Sequence, residues 1–406
     1  LGTYAQQPVL QKPRVVISTD IGGTDPDDNQ SMSHLLMFND LFDLEGLVSS
    51  PSYGNGSKEE ILRMIDVYER DYPKLRAHVD SLHTPEQLRS LCKQGRHGAA
   101  PFRGWDKATE GSQWIVDCAR RKDARPLWIL VWGGLEDLAQ ALHDAPDIAR
   151  KIRVYWIGGP NKKWSVNAYS YLVSHFPNLW FIENNSTYRG FIANGKDREF
   201  YNQYMAGAGA LGDDFVNYYN GSVKMGDSPS LFYMMDGNPS NPGKESWGGS
   251  FERISQSPRS VITRQLTAQD TVTPYSVMEF RLRGPKHVVG KGDTCFSMTI
   301  DKQNWEGIYS GHGIYTVRYS PKAPAHLHYS VTSKIAQLNG LHGEFIVDRS
   351  WPGRETKWSY PLGPNWYTDR SDPQLFEKNW QGAKTVRRWR KDILQAWAKR
   401  LEWLKM

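Results

Sequence analysis

The sequence predicts an α/β protein: a mostly parallel sheet flanked by helices, with a β-sandwich inserted late in the chain. Three observations predict it. Strand, glycine-containing turn and helix recur from Arg14 to about residue 235. From Val272 to Val347 the chain turns to short alternating runs separated by Gly, Pro, Asp and Asn, at sandwich-like spacing. Beyond that, Val386, Trp389, Ile393, Trp397, Leu401 and Leu404 form one apolar helical stripe, which needs a core to pack on. A helix returning to the first domain makes the β segment an insertion and not a tail. The expected divisions are 10–262 for the α/β domain, 266–349 for the insertion and 363–406 for the returning segment.

The elements follow in order. RVVI at 14–17 reads as a buried strand, NQSMSHLLMFNDLF as a helix over about 28–41, and 44–50 as a second strand. Together they make a βαβ unit whose first loop lies at the carboxyl edge of the sheet, where open α/β sheets bind ligands. EEILRMIDVYERDY (59–72) is helical. PLWILVW (126–132) is apolar throughout, as a central parallel strand covered on both faces must be. Gly133-Gly134 then opens the helix LEDLAQALHD, and 152–158 and 179–183 supply two further strands.

Composition excludes several classes. At 406 residues, 39% hydrophobic and 23% charged, the chain is globular and long enough for two domains. A net charge of +6 argues only weakly for nucleic acid, and the densest basic run, Arg387 to Lys391, sits on an amphipathic helix where a solvated face is the ordinary use. No nucleic-acid partner is expected. Three cysteines without CxxC spacing give neither a disulfide framework nor a zinc site. No apolar run is long enough to span a bilayer, so no membrane partner is expected either. The first residue is Leu1 and not Met, which fits a secreted or periplasmic protein with its signal peptide removed, or a chosen boundary. Sixteen Trp and 20 Tyr offer rings for stacking on sugars, alongside their duty in cores.

The loop STDIGGTDPDDN puts Asp20, Asp25, Asp27 and Asp28 within nine residues, directly after a core strand. Such crowding raises carboxyl pKa values and destabilises the fold unless a cation or a reaction uses the charge. A simple helix N-cap fits poorly, because Asp20 abuts the strand end beside Gly22-Gly23. A phosphate site lacks the P-loop lysine and spacing. A hard-cation site fits best, since calcium takes roughly six to eight oxygen ligands from carboxylates, carbonyls and waters.

An Asp at the end of the first strand, followed by Asp27-Asp28 opening a helix, resembles the signature of the calcium-dependent nucleoside hydrolases. TDIGGTDPDDNQSM is more closely similar to the nucleoside-hydrolase-like domain of proteins described as cellulose-binding. YPKLRAHV, RPLWILVWGGLEDLAQAL, GDSPSLFYMM, WGGSFE and WQGAKTVRRWRKDILQAWAKRLEWL support that match, over most of 14–252 and 376–406. Separately, YSVMEFRLRGP through GEFIV resembles a small immunoglobulin-like module that accompanies glycoside hydrolases.

The resemblance implies a nucleoside-hydrolase-like α/β fold and a Ca2+ cofactor. Its ligands would be the carboxylates of Asp20, Asp28 and Asp227 and the backbone carbonyl of Glu136, with Asp27 taking a proton from the attacking water. The sequence departs from the pattern twice. Asp25-Pro26 is extra, leaving Asp25 as a ligand, a substrate contact or neither. Gly226 stands where many nucleoside hydrolases have a histidine that helps the base leave, which counts against a nucleoside substrate.

Asn161, Trp164 and Asn167 occupy the loop that contacts sugar hydroxyls in nucleoside hydrolases, with turn capping as the plain alternative for the asparagines. Arg189 extends the same pocket, and Trp247 is either an aromatic platform or a core residue. Glu183, His175 and Glu245 are candidates for the leaving-group acid by residue type alone, Glu183 being the one counted among the substrate-binding residues. His326 and His328 share one strand face, but nothing in the sequence completes a ligand set, so a solvated pair is expected.

The expected function is a secreted calcium-dependent glycoside hydrolase acting on a furanosyl residue of a polysaccharide or glycoconjugate, through metal-positioned water with Asp27 as base. The alternatives are a non-catalytic, metal-dependent carbohydrate-binding protein and a true nucleoside hydrolase. Oligomeric state is left open.

Overall fold

The structure, a computed structural model, describes residues 11–193 and 197–405. The outer limits at 10 and 406 lie outside them. Along the chain the first strands are β1 (Arg14–Thr19), β2 (Asp43–Ser49), β3 (Cys92–Gln94), β4 (Leu127–Val131), β5 (Ile152–Ile157), β6 (Trp180–Asn184) and β7 (Phe251–Arg253). A short strand β8 (Gln256–Ser257) precedes β9 (Arg259–Ile262), β10 (Thr271–Val272), β11 (Val277–Arg283) and β12 (Thr294–Ile300). Then come β13 (Gln303–Gly311), β14 (Ile314–Tyr319), β15 (Ala325–Ser333), β16 (His342–Val347), β17 (Tyr360–Pro361) and β18 (Trp366–Asp369).

The main sheet runs β3-β2-β1-β4-β5-β6-β18-β7, parallel throughout except for β7, which is antiparallel to β18. This is the expected α/β architecture, a mostly parallel sheet flanked by helices. Every residue of β1 and β4 is buried, as expected of central strands covered on both faces. Side chains alternate between the two layers: Val15 and Ile17 join one core, Val16 the other. Strand order reverses beside β1, with β2 on one side and β4 on the other, so the crevice at the carboxyl ends of β1 and β4 is the topological switch point.

The helix after the acidic loop spans Asp27–Met37 and continues as a 3-10 turn over Asn39–Leu41, so the helical stretch expected to residue 41 is broken in two. The C-terminal helix Arg390–Trp403 buries Ile393, Trp397 and Leu401 in the first core. The Trp397 ring lies 5.2 Å from that of His34 and 5.6 Å from that of Phe215. The returning segment also contributes β18, wedged between β6 and β7, with Trp366 stacked on Phe181 at 4.2 Å. The main sheet is therefore completed only after the insertion.

Strands β9 to β16 form one continuous eight-stranded sheet, ordered β10-β16-β15-β12-β13-β14-β11-β9, around its own core of residues such as Met278, Phe280, Met298 and Phe345. It is mostly antiparallel, with parallel pairs at both edges. A flat sheet of eight strands measures about 34 Å across. The chain from Ile262 on β9 to Thr271 on β10, nine Cα steps, joins its two edges and reaches at most about 32 Å, so the sheet must curl toward closure. The expected insertion is thus a nearly closed β module built on a single hydrogen-bonded ladder. No helix among the described residues is long and apolar enough to cross a membrane.

Candidate functional site

β1 delivers Asp20 to the switch point. Gly133, just beyond β4, makes room for it: a Cβ there would stand 2.8 Å from that of Asp20. Asp28 lies in the first turn of the following helix and is 2% exposed. Its Oδ2 accepts from Thr19 Oγ1, and Thr19 Oγ1 in turn accepts from the Ile21 amide at 3.1 Å. Asp27 on the same turn is less enclosed, and Asp25 is half exposed.

Asp227 arrives from far along the chain, 3% exposed. Its loop is pinned by the helix that carries Asp27 and Asp28. Gln30 Oε1 accepts from the amides of Lys224 (2.8 Å) and Met225 (3.0 Å), while Gln30 Nε2 donates to the carbonyls of Ser222 (2.9 Å) and Tyr218 (3.3 Å). One residue later, Ser31 Oγ meets Ser228 Oγ at 2.8 Å. A single helix therefore presents two carboxylates and holds the loop that presents a third.

Carboxylate oxygens of Asp27, Asp28 and Asp227 lie within 4.8 Å of one another, and Asp227 Oδ2 is buried without a hydrogen-bond partner. Burial raises all their carboxyls. Asp20 is pushed up to about 6 and Asp27 to about 7, the latter opposed by Lys224, while Asp28 and Asp227 rise well above the ordinary carboxylate range. Lys224 bridges the rim, 2.5 Å from Asp25 and 3.4 Å from Asp27. An all-oxygen set with an orphaned, desolvated acceptor fits a hard divalent cation, whose charge would replace the protons these carboxyls otherwise keep.

The carboxylates floor a cavity of about 440 Å³, a size suited to small ligands. Asn161 closes one side: its Oδ1 accepts from Ser52 Oγ at 2.6 Å, and its amide donates to the carbonyls of Ile157 (2.9 Å) and Trp132 (3.3 Å). Trp164 lies 4.6 Å from the ring of Tyr53 and 5.2 Å, stacked, from Trp305 on β13. Tyr53, 52% exposed, is the open ring of this group.

Residues 14–251 match the family described as cellulose-binding Sde182, nucleoside hydrolase-like domain. The chain belongs to this family. Among solved structures, the Sde182-type chain resembles a nucleoside hydrolase-related protein from Saccharophagus degradans that is associated with carbohydrate metabolism. The likeness covers 83% of this chain and 100% of the other, at 17% identity and a TM-score of 0.52. A purine-preferring ribonucleoside hydrolase from Gardnerella vaginalis matches over 60% of this chain and 84% of its own, at 15% identity and a TM-score of 0.40. At 17% identity the likeness to the Saccharophagus degradans protein establishes the fold alone. No curated protein matches the chain.

In this Sde182-type chain the structure gathers Asp20, Asp25, Asp27, Asp28, Asp227, Asn161, Trp164 and Arg189 around one cavity. It does not bring the others there. Glu136 opens the helix Glu136–Asp144 outside the cavity, its carboxylate accepting from the Ala100 amide at 2.8 Å and from Ser165 Oγ; the strand-end residue on the cavity wall is Trp132. Glu183 is buried against Lys162 at 2.8 Å, where it also accepts from Tyr169 (2.5 Å) and Asn185 (2.8 Å). Asn167 ties the main domain to the β module through Arg318 at 3.3 Å. Trp247 packs half-buried against the first core. His175 stacks on Tyr171, and Glu245 pairs with Arg388 at the surface.

Several cavity residues carried no recognisable signal in the sequence. Lys224, Lys163, Gln303 and Lys322 all line the cavity, the last two from the β module, whereas Tyr188, which also lines it, adjoins Arg189 in the segment that the sequence placed there. Elsewhere, His326 and His328 do acquire a third partner. Glu344 on β16 lies opposite His328 and stands 2.9 Å from His326 and 3.5 Å from His328, which corrects the expectation that nothing completes that set.

Proposed function

We propose that the protein is a metal-dependent glycoside hydrolase acting on a furanosyl residue of a polysaccharide or glycoconjugate, with Asp27 as general base. The single observation that carries this reading is the buried, hydrogen-bond-free Oδ2 of Asp227 beside Asp28 and Asp27 on the floor of the cavity. Asp20, Asp28 and Asp227 would hold calcium. When bound, the ion supplies positive charge that orients vicinal hydroxyls of the sugar and lowers the pKa of a nearby water. Asp27 is raised toward neutrality, which suits a group that takes a proton at that pH. Lys224 holds Asp27 in place and keeps it from becoming a still weaker acid. Tyr53 offers its exposed ring to the apolar face of a sugar. A polysaccharide substrate places the protein outside the cell or in the periplasm. The family's cellulose-binding description and the carbohydrate association of its Saccharophagus degradans relative support sugar over nucleoside, as does Gly226.

A second reading is favoured by a specific observation. None of Glu183, His175 and Glu245, the expected leaving-group acids, lines the cavity. A metal-dependent carbohydrate-binding protein without catalysis has no need of one. The deciding experiment is product release, by chromatography, from polysaccharides, aryl furanosides and nucleosides. It compares wild type with Asp27→Asn, in calcium and in chelator. Release that requires both Asp27 and calcium is the expected result. Glycan retention lost in chelator, with no product from any substrate, would overturn catalysis and leave binding.

A further inference from the structure

The acidic cavity has a second, basic wall, and the β module builds half of it. Lys163 lies on the turn of helix Pro160–Trp164, and Gln303 and Lys322 come from the module. The join between them is fixed. Trp305 stacks on Trp164, and its indole N–H donates to the Lys163 carbonyl at 3.2 Å. Lys163 Nζ donates to Gln303 Oε1 at 2.5 Å. The module therefore forms part of the site and is not a tethered accessory.

The charges on this wall lack counter-ions. Lys163 is only 4% exposed, yet among the described residues no carboxylate lies within ion-pair distance of it or of Lys322. Its acidic neighbour Asp301 acts on it from farther away, and Lys322 repels it. The rings of Trp164 and Trp305, each 5.4 Å from Lys163 Nζ, offset part of the cost by cation–π attraction. Gln303 occupies one of the three N–H donors. By contrast, Lys224 on the floor is matched by Asp25 and Asp27. A desolvated ammonium with free donors, set beside a second cation in a ligand-sized cavity, is a seat for an anion.

We propose that the cavity selects an acidic sugar, and that Lys163 and Lys322 bind the negatively charged substituent while the carboxylate floor engages the sugar hydroxyls. The proposal rests on the reading that this cavity takes carbohydrate. A uronic acid carboxylate and a sulfate ester both present the required charge-bearing oxygens, and Lys322 makes the β module the part of the chain that reads them.

The test is calorimetric titration of the full chain with three oligosaccharides in calcium. They are a glucuronic-acid-substituted xylo-oligosaccharide, its carboxyl-reduced neutral counterpart, and a sulfated galactan oligosaccharide. The acidic member of the matched pair, the sulfated ligand or both should bind at least about tenfold more tightly than the neutral one, the worth of one good charge-assisted contact. The ranking of the two acidic ligands identifies the source of the charge. Lys322→Ala, at an exposed position that leaves folding intact, should close the gap, and Lys322→Glu should reverse it. Asp227→Asn should weaken every ligand but keep the ratio, which separates this proposal from the functional reading. A neutral sugar that is bound or cleaved as well as the acidic ones would overturn acidic selection and leave the hydrolase reading intact. An acidic preference together with no product from any polysaccharide, aryl furanoside or nucleoside would overturn the hydrolase reading alone. A gap untouched by Lys322→Ala, or no binding of any of the three, overturns the proposal.

Discussion

A Cβ on Gly226 would stand 2.6 Å from Oδ2 of Asp27. The absence of a side chain before Asp227 and the position of the proposed base are thus one structural fact. Gly226→Ala should push the Asp27 carboxylate aside. A displacement on the order of 1 Å at a reacting group costs about a hundredfold in rate. We expect kcat/KM to fall by about that factor, with metal affinity, read by calorimetric titration, changing far less, because Asp28 and Asp227 keep their places. Unchanged turnover in Gly226→Ala would remove Asp27 from the reaction.

Gln30 is the clamp between the helix that bears Asp27 and Asp28 and the loop that bears Asp227. Gln30→Ala removes the acceptor of the Lys224 and Met225 amides and the donor to the Tyr218 carbonyl. An unsatisfied buried group costs about 1–3 kcal/mol, and partial relaxation of the loop limits the total to about 3 kcal/mol. Urea unfolding should show that loss, and calcium titration should show weaker binding, although Gln30 itself touches no ion. Calcium affinity equal to wild type would mean the Asp227 loop holds its shape without the clamp.

What was legible in the sequence follows physical range. Asp20, Asp27 and Asp28 lie within one short loop after an apolar run, so local charge density exposed them, and Asp227 followed from the family pattern around GDSP. The parallel strands announced themselves by continuous burial. Lys163, Gln303 and Lys322 meet only because the β module docks on the main domain through Trp164 and Trp305, and no local periodicity encodes that docking. Glu344 completes the histidine pair through cross-strand register, which neither strand's own sequence states. The four-residue β18 is too short to show a pattern, and it finds its place only between β6 and β7. Glu136 was placed by analogy of segment, whereas the turn after β4 leaves Trp132 at the cavity.

Stability should depend on pH in a direction set by the raised carboxyls. Burial lifts Asp20 to about 6 and Asp27 to about 7, and it lifts Asp28 and Asp227 well above the ordinary carboxylate range. These groups bind protons more tightly folded than unfolded. Their contribution is therefore fully present below the unfolded pKa of about 4 and is lost as pH rises through 6 and 7. In chelator, Tm should fall between about pH 4.5 and pH 8, and calcium should restore it at the upper end while changing little at the lower. Glu136, raised to about 7, and Asp369, raised to about 6, are both lifted by burial outside the carboxylate cluster, so part of the slope should survive calcium. Scanning calorimetry at the two pH values, with and without the ion, checks each step. A Tm in chelator that rises with pH would contradict the assignment.

Glu183 sits at a strand end, as a catalytic acid would, and its surroundings give it another task. It is 1% exposed and pairs with Lys162, itself fully buried. Tyr169, Asn185 and Trp366 also donate to it, and Thr368 Oγ1 binds its carbonyl, so it anchors β18 to β6 from the opposite side of the insertion. Glu183→Gln keeps the shape but leaves the Lys162 ammonium buried without its counter-ion. Breaking a buried pair from one side costs about 3–5 kcal/mol. The variant should unfold at markedly lower urea, whereas the molecules that remain folded should turn over substrate at the wild-type kcat and with an unshifted pH profile. The double variant Glu183→Gln with Lys162→Met removes the stranded charge and should recover part of the stability. A Glu183→Gln protein of near-wild-type stability that had lost its alkaline limb of activity would return Glu183 to the role of leaving-group acid.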